Sequence, residues 1–70
     1  MHLRPGEIVR ATRPIFISDL EIEISRGTEG IVEDAPKHAD SVRVAWETTR
    51  SNRPTTVSGR VHPSQVIPIH

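Results

Sequence analysis

The chain has no cysteine and no tyrosine, and Phe16 and Trp46 are its whole aromatic complement. Without cysteine there is no disulfide, no thiolate metal site and no cysteine nucleophile, which suits a reducing compartment such as the cytoplasm. Two aromatic residues without a tyrosine cannot build the cage that holds methylated side chains. No apolar run exceeds the three residues of Ile15-Phe16-Ile17. That is short of the about seven residues of a signal-peptide core and of the ~20 that cross a membrane. The expectation is a soluble cytoplasmic protein with no membrane association.

Charge of one sign is also missing, because nine cationic and nine acidic residues leave a formal net charge of zero. A dedicated nucleic-acid binder usually carries a basic excess. The distribution is uneven, however. Residues 1–36 hold Glu7, Asp19, Glu21, Glu23, Glu29, Glu33 and Asp34 against four arginines, whereas residues 48–70 hold Arg50, Arg53 and Arg60 and no acid. Seventy residues make one domain, 1–70, and a chain this short buries only ~60% of the surface its unfolded form exposes. Help from another protein chain or from a second copy is therefore expected.

What is present reads as strands. Residues 1–5 form a loose lead-in closed by the turn dipeptide Pro5-Gly6. Glu7 to Arg13 is strand one, with Val9 and Ala11 inward and Ile8, Arg10 and Thr12 outward by the period of two. Residues 15–25 carry apolar sets of opposite parity, Ile15 and Ile17 against Leu20, Ile22 and Ile24. A bulge or tight turn at Ser18-Asp19 keeps both on the core side. Gly27 opens strand two, Thr28 to Asp34, where Gly30 and Val32 share a face. Strand three is Ser41 to Glu47, with Val42, Val44 and Trp46 inward. Thr48 to Thr55 reads as a polar loop, Thr56 to Val61 as strand four, His62 to Gln65 as one helical turn, and Val66 to Ile69 as a closing strand. This predicts an all-β fold, a five-stranded barrel with one short helical turn before the last strand.

Five short strands, a long first excursion and that single turn resemble the SH3-like barrel. The pattern Gly6-Glu7-Ile8-Val9-Arg10, then Ile24-Ser25-Arg26-Gly27-Thr28-Glu29-Gly30-Ile31-Val32-Glu33, then Val42-Arg43-Val44-Ala45-Trp46 is similar to that of the electron-transport accessory group. This group includes the β-subunit barrel of nitrile hydratases and the variable chain of ferredoxin-thioredoxin reductase. The resemblance implies a non-catalytic accessory module that packs on a larger subunit. The same pattern is similar to KOW-like barrels, which implies nucleic-acid binding as the alternative. A fainter echo of plasmid-type dihydrofolate reductase in His62-Pro63-Ser64-Gln65-Val66-Ile67-Pro68 fails residue by residue, since the tyrosine of that pore is missing.

Few residues suggest chemistry. His2, His38, His62 and His70 sit singly, without the paired spacing of a metal site. A Ser64–His62 pair has no acid nearby in sequence to complete a triad. No metal, no cofactor and no enzymatic activity are expected. Two surfaces remain. Consecutive apolar residues on an extended segment cannot all face one small core, so Ile15, Phe16 and Ile17, with the outward Ile8 and Ile31, are expected to form an apolar patch for a partner chain. Burying ~400 Å² of such surface at about 25 cal/mol per Å² contributes on the order of 10 kcal/mol before association costs. The alternative surface is cationic, with Arg43, Arg50, Arg53 and Arg60 contacting phosphates.

Overall fold

The computed structural model describes residues 3–36, 40–50 and 52–69, the side chain of residue 50 excepted. It is an all-β chain in two antiparallel sheets. Strand β1 covers Ile8–Ala11, β2 Ile15–Ile17, β3 Ile22–Ile24, β4 Glu29–Asp34, β5 Val42–Arg50 and β6 Arg53–Val61; a 3₁₀ turn at Pro63–Gln65 leads into β7, Val66–Pro68. The described residues thus hold seven strands, not five. Five of them form one sheet in the order β6-β5-β4-β1-β7, and β2 and β3 form a separate hairpin.

That hairpin explains the change of apolar parity between residues 15 and 24. Its register pairs Ile15 with Ile24 and Ile17 with Ile22, so odd-numbered residues of one arm share a face with even-numbered residues of the other. Ile15, Ile17 and Ile24 are buried and Ile22 is half-buried. The reversal runs through residues 18–21, where the Leu20 and Glu21 N–H groups donate to the carbonyls of Ile17 and Ser18, and Glu21 takes a left-handed φ of 52°. Leu20 sits on this turn and is exposed, contrary to its expected place in the core.

The core is a single cluster gathered from both sheets: Val9 and Ala11 of β1, Ile15 and Ile17 of β2, Ile24, Val32, Val42, Val44, Trp46, Val57, Val61 and Val66. Leu3 joins them at 7% exposure, so the lead-in from residue 3 onward is anchored and not loose. The Gly6 N–H donates to the Val32 carbonyl and ties the same segment to β4.

Of the segment 48–55, expected to be a loop, residues 48–50 belong to β5 and residues 53–55 to β6. β5 and β6 pair continuously from Val42–Val61 to Arg50–Arg53. Because β4 accompanies β5 only from Arg43 to Trp46, the outer half of this hairpin continues beyond the sheet as a two-stranded ribbon. Asn52 closes its tip with a φ of 63°, a conformation asparagine tolerates better than most residues.

The 3₁₀ turn forms where proline at its first position is pre-set and the preceding residue caps it. The His62 N–H donates to Gln65 Oε1 at 2.8 Å, while His62 Nδ1 accepts from the Ser64 N–H at 3.1 Å. This reciprocal cap satisfies end groups that the turn leaves free. The Gln65 carbonyl then accepts from the Thr12 N–H, and β7 pairs with β1 through Ala11–Val66. The last strand thereby returns to the first.

Candidate functional site

The outer face of the five-stranded sheet carries the residues that period two turns away from the core. In register, Ile8 stands opposite Ile31, and Ile31 opposite Ala45. On the other side of β1, the Ile69 N–H donates to the Ile8 carbonyl, and Ile67 pairs with Arg10 one step along. Ile8, Ile31 and Ile67 are 48%, 46% and 45% exposed, and Ile69 and Ala45 are half-buried. In register an apolar row therefore runs from Ile69, just after β7, through Ile8 on β1 and Ile31 on β4 to Ala45 on β5, and Ile67 stands one step over, beside Arg10.

One side of the strip is charged. Arg10 and Glu29 stand opposite each other, and their side chains approach to 3.9 Å. Both are about half exposed, so the pair contributes little to stability. A recess of about 210 Å³ opens beside it, lined by Ile8, Gly30, Ile31, Glu29 and Glu47. The recess is apolar at its floor and carboxylate at its rim. Its shape and charge suit an apolar side chain flanked by a cation.

Of the five residues expected to form an apolar patch, Ile8, Phe16 and Ile31 are exposed, whereas Ile15 and Ile17 are buried at 3% and 7%. The correction has a simple cause: β2 folds back over the sheet, and the period of two sends Ile15 and Ile17 to one side and Phe16 to the other. Phe16 does not line the recess beside Ile8 and Ile31. It lines a separate groove with Arg43 and Arg60. Ile67 belongs to the strip and was not singled out from the sequence, although its signal was available: Val66 is buried at the start of a strand, so its neighbour must face out.

The four arginines do not make one cationic surface. Arg43 pairs with Arg60 at one end of the β5–β6 ladder and Arg50 pairs with Arg53 at the other. Seven residue steps along the strand separate the pairs, roughly 23 Å at about 3.3 Å per residue. The two pairs also occupy positions of opposite parity on each strand, so the register places them on opposite faces. Only the backbone position of Arg50 is described.

His62 and Ser64 do meet, with Ser64 Oγ 2.7 Å from His62 Nδ1. The same Nδ1 accepts the Ser64 backbone N–H, so its lone pair is engaged in capping the 3₁₀ turn. The contact is local architecture. His2, His38 and His70 lie outside the described residues, and among those described no three His, Asp or Glu side chains gather as a metal site. Among the described residues no helix is long and apolar enough to cross a membrane.

Comparison with protein-family models, with curated proteins and with solved structures gives no match to this chain. The fold and the outer face define its class as a small all-β domain with an exposed apolar strip.

Proposed function

We propose that this chain is an SH3-like barrel serving as a non-catalytic accessory module, docked on a larger protein chain through the strip of Ile8, Ile31 and Ile67. The fold half of this reading is supported by the strand order β6-β5-β4-β1-β7, by the hairpin inserted between β1 and β4, and by the 3₁₀ turn that returns the last strand to the first. The functional half is carried by one observation, three isoleucines about half exposed on three adjacent strands of one sheet face. Isolated surface isoleucines are ordinary, but a contiguous group beside a recess is a docking feature.

The strip alone falls short of the ~800 Å² per partner that a stable interface buries. The partner must therefore reach past it, toward Glu29 and Glu47. A second copy would present the same carboxylates at that rim, with its Arg10 already beside Glu29. A different chain, offering an apolar side chain next to a lysine or arginine, fits better.

Site-specific photo-crosslinking in the source cells tests this. A photoreactive residue at position 31 or 67 is expected to give one discrete adduct, and the same residue at Glu23, exposed on the β2–β3 hairpin, none. Adding Ile8→Lys should reduce the adduct at least tenfold, since burying an isoleucine is worth about 1.5–3 kcal/mol. No adduct at either position, or an adduct indifferent to Ile8→Lys, overturns the reading.

A further inference from the structure

Arg43 and Arg60 have no role in the core or in the docking strip. They stand directly opposite each other on β5 and β6, and both are exposed. Side chains so placed are about 5 Å apart at Cβ, where like charges oppose strand pairing. Among the described residues the ion pair within 4.0 Å joins Arg10 to Glu29, so neither guanidinium of this couple has a carboxylate in contact. Two unneutralised guanidiniums abreast form a fork that an anion can bridge, and their planar donors match phosphate oxygens in pairs.

A second element stands beside them. A Cβ at Gly59 would lie 2.6 Å from Ile17 Cδ1, so the absence of a side chain there lets β2 settle against β6. Ile17 turns into that space, and Phe16, its neighbour, is sent the other way and left 60% exposed. Between them runs a groove of about 430 Å³ lined by Phe16, Ser18, Asp19, Arg43, Ser58 and Arg60, floored by Ile17 and Gly59. Within one groove lie an open aromatic face, two guanidiniums and two hydroxyls. Asp19 in the groove, and Asp34 opposite Arg43 across β4 and β5, hold the local positive charge to a modest level. That balance suits one phosphate and not a long polyanionic track.

We propose that this groove binds a nucleotide unit, its phosphate held by Arg43 and Arg60 with Ser58 donating a further hydrogen bond, and its base stacked on Phe16. Stacking needs an unstacked base, so the unit is either a free mononucleotide or one residue of a single strand, not part of a duplex. A phosphorylated peptide would use the arginines and leave the aromatic face idle. The combination of features therefore favours the nucleotide.

Fluorescence anisotropy with a labelled thymidine 12-mer, and competition by thymidine monophosphate, decides the matter. At about 50 mM salt the 12-mer is expected to bind with a Kd on the order of 10⁻⁵ M, weakening severalfold by about 200 mM. Arg43→Gln, Arg60→Gln and Phe16→Ala should each lower affinity about tenfold, and Phe16→Tyr should preserve it. These positions are exposed, and circular dichroism melts will show each variant folded. Arg53→Gln, at the far end of the ribbon, and the uncharged Ile31→Ser, on the docking strip, should leave binding unchanged, so failure here is separate from failure of the docking reading. Competition by the monophosphate identifies a free nucleotide as the source, and binding of the 12-mer alone identifies a strand. The proposal is overturned if neither ligand binds at about 50 mM salt. It is also overturned if Phe16→Ala or the double arginine variant binds as well as the parent, or if a phosphoserine peptide binds more tightly than both nucleotides.

Discussion

Trp46→Ala is expected to leave the chain largely unfolded at room temperature, whereas Trp46→Phe should remain folded with a modest loss. Trp46 has no exposed surface and is the one aromatic side chain in the core. It pairs with Gly30 on one side and Val57 on the other, so both neighbouring strands pack on it. Truncating such a residue to alanine costs about 3–5 kcal/mol, the lost transfer energy plus the cavity left behind. At roughly 0.05–0.15 kcal/mol per residue a chain of this length has about 4–10 kcal/mol in total, and small cores lie toward the low end. The loss is therefore comparable to the whole.

Phenylalanine changes the balance because the Trp46 indole N–H is buried without a hydrogen-bond partner among the described residues. An unpaired buried donor costs about 1–3 kcal/mol, and Trp46→Phe removes that penalty while giving up part of the packed volume. The two terms oppose each other, so a net loss of about 1–2 kcal/mol is expected. Urea titration followed by far-ultraviolet circular dichroism measures both variants, since indole fluorescence disappears in each. A Trp46→Ala protein that melts near the parent, or a Trp46→Phe protein as unstable as Trp46→Ala, would show that the indole does not organise the core.

Most of the inward positions could be read directly. Val9 and Ala11, Gly30 and Val32, and Val42, Val44 and Trp46 alternate with polar or outward residues, and each is buried as the period of two requires. The outer part of the ribbon, residues 48–50 and 53–55, is not legible for a physical reason. Beyond the sheet it has no core to face, so neither side selects apolar residues and no alternation arises. Its remaining signal is compositional, the β-branched Thr48, Thr49 and Thr55. A run of three apolar residues such as Ile15-Phe16-Ile17 suggests one surface, yet only Phe16 is exposed. In a strand, such a run divides between two. The arginines illustrate a related limit. Arg50 and Arg53 are close in sequence and close in register, but Arg43 and Arg60, seventeen residues apart, are directly opposed, and only the hairpin register reveals it.

Gly30→Ala is expected to be nearly as damaging as Trp46→Ala, and to resist rescue. Gly30 lies in the centre of the sheet, opposite Val9 on β1 and Trp46 on β5. Its φ is not left-handed, so space and not backbone conformation excludes a side chain. An added Cβ would meet Val44 Cγ1 at 2.7 Å, the Ala45 carbonyl oxygen at 2.8 Å and Trp46 Cε3 at 2.9 Å. The carbonyl belongs to the β4–β5 ladder and cannot move without parting the strands. Overpacking a close-packed interior costs about 1–3 kcal/mol, and more where backbone has to move. Gly59→Ala supplies the contrast, because all three atoms its Cβ would meet, at 2.6, 3.1 and 3.2 Å, belong to the Ile17 side chain. A side chain can turn or be trimmed. The double variant Gly59→Ala with Ile17→Val, which removes the atom in closest conflict, should be more stable than Gly59→Ala alone, with a coupling of about 0.5–2 kcal/mol in a double-mutant cycle. Gly30→Ala with Val44→Ala should show no comparable recovery, since the backbone conflict at Ala45 persists and a core methyl pair is lost. If trimming Val44 restores the Gly30 variant as fully as trimming Ile17 restores the other, the close approach of β4 to β5 is set by side chains, and Gly30 is not the position that lets the two backbones meet.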